Sequence, residues 1–279
     1  TTAIGGSLYR IFNYLGFKAV GINHLGDHGT QFGKLITAYK MWGSPEKLQK
    51  DGLDELLSLY VRYHEEAEKS FNLDDEAREW SKRIEQHDSE AVEIYQNFKT
   101  ITLESIGTIY NRLGITFDSY LGESFFIDKV DPVVKTLEQK NLLTESEGAQ
   151  VVMLDDYDMP PCLILRSDGA SLYATRDIAT AIYRKKTYDF YKCLYIVAYQ
   201  QNLHFKQFFK VLELMDYDWA KDLIHVAYGM VSMEDGSMST RSGKLIKLSE
   251  VLDKAVNKTR DIIMQKNPDS DNIDQTAEA

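Results

Sequence analysis

Apolar residues at Ile4, Leu8, Ile11, Phe12 and Leu15 recur at helical spacing, and Gly16 follows as a natural stop, so the chain opens on a helix. Lys18 to Asn23 reads as a short strand, and a glycine-rich run from Gly26 to Gly33 follows it directly. This helix, strand and loop order suits an α/β sheet with a ligand site beyond the strand end. Ser44-Pro45-Glu46 has the cap and first-turn proline of a helix start. From there to about Leu113 the chain is rich in Glu, Lys, Gln and Leu. That stretch predicts two or three long helices, with a break near Phe71-Asn72-Leu73. Asp131-Pro132 starts another helix that runs to about Lys140.

The pattern then shortens. Val151 to Leu154 and Cys162 to Arg166 read as strands joined by an acidic loop with Pro160-Pro161. A turn at Ser167-Asp168-Gly169-Ala170 leads to a strand-like Leu172-Tyr173-Ala174-Thr175, and Asp177 to Lys186 reads as a helix. Leu194 to Ala198 is a buried strand, Leu203 to Met215 a helix and Leu223 to Tyr228 another strand. Ser249 caps a last helix to about Gln265, and the tail from Asn267 is polar. The fold class expected is therefore α/β: a Rossmann-like doubly wound parallel sheet with a largely helical insertion. Residues 1–41 and 146–248 would form the sheet-bearing core, 42–145 the insertion, and 249–279 a helix leading away from it.

Composition narrows this. The 279 residues, 43% of them hydrophobic, suffice for one large α/β domain or a domain with an insertion. A net charge of -11 argues against a nonspecific nucleic-acid coat. Arg184-Lys185-Lys186 is either a local basic patch or a solvated helix end. Cys162 and Cys193 sit in apolar runs and read as core, with no disulfide framework or zinc site. No apolar run approaches the ~18 residues of a membrane span, and no secretory signal is seen. The chain starts on Thr1, already in a helical pattern, so it reads as a piece of a longer protein.

Three runs carry candidate chemistry. Gly26, Gly29 and Gly33 permit close backbone approach to a phosphate or sugar, in neither a Walker loop nor a dinucleotide fingerprint. Asp27 would bond backbone or ligand. His24 and His28 invite a metal reading, but Gly26 and Gly29 break the helix that would align them, so no metal is expected. Met238 to Lys244 is a small polar loop with two cations, suited to a triphosphate or to an ordinary turn. Asp177 reads as a strand-end, helix-opening carboxylate, either a cap or a ligand group. With Tyr173 and Gln201 it would offer converging acceptors for a guanidinium, and His204 reads as a local cap or packing residue.

Together, GDHGTQFG (26–33), FDSYLGES (117–124), SDGASLYATRD (167–177), QQNLHF (200–205), HVAYGMV (225–231) and MSTRSGK (238–244) span nearly the whole chain. In content and order they closely resemble the catalytic domain of arginyl-tRNA synthetase, a class I aminoacyl-tRNA synthetase. The resemblance implies that arginine attacks Mg2+-ATP to give arginyl-adenylate, which is then transferred to tRNA(Arg), the tRNA also being needed for efficient activation. It gives Tyr173, Asp177 and Gln201 to arginine. It gives Gly229, Met230, Val231 and His204 to ATP, with Asp27 and Gln31 as further candidates. Met238, Ser239, Thr240, Arg241, Ser242, Gly243 and Lys244 stand where the family carries its KMSKS catalytic loop. Buried acceptors would discriminate against lysine by roughly 10⁴.

Two departures stand out. The 238–244 loop lacks both signature lysines, leaving Arg241 or Lys244 to supply charge. The HIGH signature, which in the family lies just before the residues matching Thr1 to Gly5, is absent. The expectation is a cytoplasmic, membrane-free catalytic core lacking the segments before Thr1 and an anticodon-binding domain after Ala279. Alone, it would be catalytically very poor. An arginine- or ATP-binding piece without catalysis, or another class I synthetase, are the alternatives.

Overall fold

A computed structural model describes residues 1–69, 72–167, 169–230, 247–268 and 272–278. The elements run α1 (Thr2–Tyr14), α2 (Thr30–Trp42), α3 (Pro45–Asp51), α4 (Leu53–Ala67), α5 (Leu73–Glu85) and α6 (Ser89–Arg112). A 3-10 turn (Glu123–Lys129) leads into α7 (Val130–Gln139), β1 (Leu143–Ser146), β2 (Ala149–Val152) and β3 (Cys162–Leu165). Then come α8 (Tyr173–Tyr188), β4 (Cys193–Ala198), α9 (Asn202–Leu214), β5 (Leu223–Tyr228), α10 (Leu248–Lys266) and α11 (Ile273–Glu278). Two compact units form: residues 1–28 with 115–231, and residues 29–114 with 232–279.

In the first unit, β4 and β5 pair in parallel, from Cys193 opposite Leu223 to Ala198 opposite Tyr228. α9 makes the crossover between them, as a parallel pair requires. β1, β2 and β3 form a separate antiparallel sheet, with a register shift between Gln150 and Val151. Val152, Cys162 and Ile164 from that sheet meet Leu137 of α7, Ile178 of α8, and Phe208 and Leu212 of α9 in one apolar core. Each such side chain contributes about 1.5–3 kcal/mol by leaving water. The parallel sheet is thus small, and the unit is mostly helical.

Two strand expectations fail here. Lys18 to Asn23 forms a single parallel bridge, Ile22 to Ser119, rather than a strand. Leu172 to Thr175 is not a strand either, because α8 already starts at Tyr173. Ser171 makes one bridge to Leu165, and the Thr175 hydroxyl donates to the Ile164 carbonyl at 2.5 Å. Docking on β3 overrides the β-like local composition. Asp177 therefore lies in the second turn of α8 and does not open it.

The second unit is helical throughout its described residues. Ser44 caps α3 as expected, its hydroxyl accepting from the Lys47 N–H at 3.2 Å. Residues 45–112 make three long helices, α4, α5 and α6, after the short α3, with the expected break between Ala67 and Leu73. Ile36, Leu48, Leu56, Tyr95 and Phe98 form one core, and Ala38, Leu59, Tyr63, Leu73 and Ala77 a second. At Gly33, α2 crosses α5 so closely that a Cβ would lie 2.0 Å from the Ala77 carbonyl oxygen. This glycine of the 26–33 run serves helix packing, not approach to a phosphate. Arg112, the last residue of α6, holds Asp253 of α10 at 2.6 Å and both carboxylate oxygens of Glu278 in α11. No helix among the described residues is long and apolar enough to cross a membrane.

Candidate active site

Two of the sequence runs lie side by side in the first unit. Gly21 N–H donates to Asp118 Oδ2 at 2.7 Å, and the N–H groups of Asp118 and Ser119 return to the Gly21 carbonyl. Asn23 N–H then donates to the Ser119 carbonyl, and Glu123 N–H to that of Leu25. Asp27, 5% exposed, closes the pairing: its carboxylate accepts from the backbone N–H and the hydroxyl of Ser124, at 2.9 and 2.8 Å. Gly122 makes room for it, since a Cβ there would stand 2.4 Å from Asp27 Oδ1. Asp27 thus orients Glu123, the next residue after that glycine.

Several polar and charged groups of this unit interact with Asp177. His204, at the start of α9, places Nε2 at 2.6 Å from Asp177 Oδ2. Arg184, two turns further along α8, is 8% exposed and stacks its guanidinium 5.4 Å from the Tyr195 ring centre on β4. Burial works against the Arg184 charge, but Tyr195, Cys193 and Asp177 more than offset it. Burial lowers the His24 pKa, and Arg184 lowers it further, while Asp177, the Leu121 backbone and Asp27 pull the other way. Burial raises the Glu123 pKa against the pull of Arg176, with the negative charges of Asp177 and Asp27 adding to the rise. Glu123 Oε2 and Arg176 Nε stand 3.4 Å apart, an ion pair short of hydrogen-bond geometry. His24 Nδ1, Glu123 Oε2 and Arg176 Nε are buried without a hydrogen bond, which leaves polar capacity for a ligand.

The other expected residues spread more widely. Tyr173 is 66% exposed, with the Arg176 guanidinium 4.9 Å from its ring centre. Gln201 is exposed, the last residue of a 3-10 turn (Tyr199–Gln201) and the cap of α9. It makes no side-chain hydrogen bond to Asp177 or Tyr173. Gly229 and Met230 follow β5 and are exposed. In β5 itself, His225 stacks on Phe205 at 4.1 Å, and its Nε2 meets the Val197 carbonyl oxygen. Gln31 belongs to the helical unit, where its Oε1 accepts from the Tyr60 hydroxyl at 2.5 Å. Val231 and the loop Met238, Ser239, Thr240, Arg241, Ser242, Gly243 and Lys244 lie outside the described residues.

Sequence reading missed Glu123, Arg176, Arg184 and His24 as neighbours of Asp177. Arg184 was hidden in a basic triplet, yet its place on α8 is signalled by spacing: Asp177, Ala181 and Arg184 recur at helical intervals and share a face.

A family model for the catalytic domain of class I (R) tRNA synthetases matches residues 1–279. The chain belongs to this family. It is 54% identical over 275 residues to an arginine–tRNA ligase of Clostridioides difficile, covering 99% of the chain and 49% of that protein. An arginine–tRNA ligase of Halothermothrix orenii is 52% identical over 277 residues, again covering 99% of the chain and 49% of the relative. The chain therefore spans about half the length of the curated relatives it matches. Solved arginyl-tRNA synthetases of Plasmodium falciparum and Thermus thermophilus superpose with TM-scores of 0.78, at 23% and 22% identity. They cover 99% of this chain and 46% and 52% of their own. At that identity they show the fold alone, the class I synthetase catalytic fold. Within this synthetase family member, the Asp177 cluster is assembled from the 26–33, 117–124, 167–177 and 200–205 runs, all contributing side chains to one unit.

Proposed function

We propose that the protein containing this chain is an arginine–tRNA ligase and that the Asp177 cluster is its arginine end. Asp177 supplies the carboxylate for the guanidinium, with Tyr173 and Gln201 at its margins. Glu123 is a second carboxylate within electrostatic reach of Asp177. A guanidinium is planar, permanently charged and carries five donors, so it can engage acceptors that an ammonium leaves unpaired. The observation that supports this reading best is the gathering of Asp177, Glu123, Arg176 and His24 with hydrogen-bonding capacity unused.

ATP would meet the backbone around Gly229, Met230 and Val231, with Met238 to Lys244 at its phosphates. Mg2+ would arrive as Mg-ATP; among the described residues no three His, Cys, Asp or Glu side chains gather to hold an ion. The arginine carboxylate would attack the α-phosphate and release pyrophosphate, and a terminal ribose hydroxyl of tRNA(Arg) would then take the arginyl group.

Asp177→Asn in the full-length protein tests the assignment. It keeps the shape and removes the charge. A charge-assisted bond is worth about 1.5–3 kcal/mol, so kcat/KM for arginine should fall roughly 10- to 100-fold. An unchanged value removes Asp177 from the site.

A further inference from the structure

Asp177 forms a hydrogen bond with a histidine from another helix. His204 Nε2 meets Asp177 Oδ2 at 2.6 Å, and the pair spans α9 to α8. The imidazole is itself held: its ring lies 5.5 Å from that of Phe205 and 5.4 Å from that of Phe208, two residues buried in the core. A carboxylate offers about four acceptor positions. The histidine occupies one of them, on Oδ2. Arg184 and Glu123 interact with Asp177 electrostatically. Among the described residues, His204 is the side chain that hydrogen-bonds it.

We infer that His204 is a positioning residue of the arginine site, holding the Asp177 carboxylate in the orientation that receives the guanidinium. The inference rests on the reading of Asp177 proposed above. It assigns His204 to the arginine side of the reaction, where the family resemblance alone gives it to ATP. A part-exposed Asp on a helix otherwise samples several rotamers. Fixing one of them before the ligand arrives removes an ordering cost from binding. A neutral imidazole can do this with its N–H while leaving the carboxylate charge intact for arginine. A lysine or arginine at 204 would neutralise that charge.

The test uses three variants of the full-length protein. His204→Phe keeps a ring against Phe205 and Phe208 and deletes the donor. His204→Gln restores a donor at nearly the reach of Nε2. His204→Asn is polar but one bond shorter, and covers the case in which the Phe variant fails to fold. The Phe and Asn variants should raise the arginine KM about tenfold, with the ATP KM and the kcat at saturating arginine near their parent values. The Gln variant should recover most of the loss. An unchanged arginine KM in the Phe and Asn variants overturns the inference, as does a rise confined to the ATP KM or a Gln variant as poor as the others. Asp177→Asn is measured alongside. If it too leaves the arginine KM unchanged, the reading of Asp177 falls first. A large effect there with none at His204 overturns the inference alone.

Discussion

The carboxylate of Asp27 is held by both the backbone N–H and the hydroxyl of Ser124, 97 residues further along the chain. This clasp fixes the segment that carries Glu123, so its loss should be felt in stability before chemistry. Asp27→Ala strands a part-buried N–H and hydroxyl and should cost about 1–3 kcal/mol. Ser124→Ala removes one of the two bonds and should cost about 1 kcal/mol. Chemical denaturation of the two variants and of their double mutant measures the coupling. Strictly additive losses would show that the clasp is not one interaction.

Gly33 and Gly107 make opposite predictions for the same substitution. A Cβ at Gly33 meets the Ala77 carbonyl oxygen at 2.0 Å and Ser81 Oγ at 2.3 Å, and backbone cannot step aside cheaply. Gly33→Ala should destabilise by about 2–3 kcal/mol or more. Gly107 lies within α6 with nothing within 4 Å of its would-be Cβ. Gly107→Ala should stabilise by roughly 0.5–1 kcal/mol through helix propensity. Melting curves that shift in the same direction for both would contradict the helix crossing described.

The buried titratable groups predict a pH response with a defined sign. His24 is held below its ordinary 6.5, so the unfolded chain takes up a proton that the folded chain refuses. Its contribution is intact above about pH 6.5 and is lost as pH falls towards the lowered value. Glu123, raised above 4.5, acts oppositely: its contribution is complete below about pH 4.5 and is lost as pH rises through the raised value. His24→Gln should flatten the fall in melting temperature on acidification, and Glu123→Gln should steepen it. A His24→Gln profile parallel to the parent's between pH 4.5 and 7.5 would remove His24 from this account.

Arg112 ties α6 to both α10 and α11 through Asp253 and Glu278. These groups are solvent-accessible, so the tie should weaken with salt. Arg112→Ala should speed amide hydrogen exchange in residues 273–278 more than in α6 itself. Equal exchange in parent and variant would show that α11 is held by other contacts.

Periodicity and turn chemistry were enough to place α9, β4, β5 and α10 within a residue or two, because each carries its own amphipathic or apolar pattern. The failures share a physical cause. Lys18 to Asn23 has strand composition, but its partner segment satisfies it with Asp118 Oδ2 and a few backbone bonds in place of a ladder. The stretch at Leu172 to Thr175 is helical because the buried Ala174 and Thr175 dock on β3, a tertiary contact that no local window contains. The Arg184-Lys185-Lys186 triplet looks uniformly basic, yet Lys185 and Lys186 lie in the last turn of the helix while Arg184 is buried. Asp177 was legible as a candidate site carboxylate, whereas its contact with His204 depends on how two helices pack.

The pairing of residues 21–27 with 117–124 also bears on the order in which the protein is made. A loop of this length closes late, since its ends must find each other against an entropy that grows with the logarithm of its length. During synthesis Asp27 leaves the ribosome well before Ser124, and His204 emerges later still. Throughout that interval the nascent 21–27 segment lacks its hydrogen-bonding partner, which makes it a natural point for a chaperone to bind or a protease to cut.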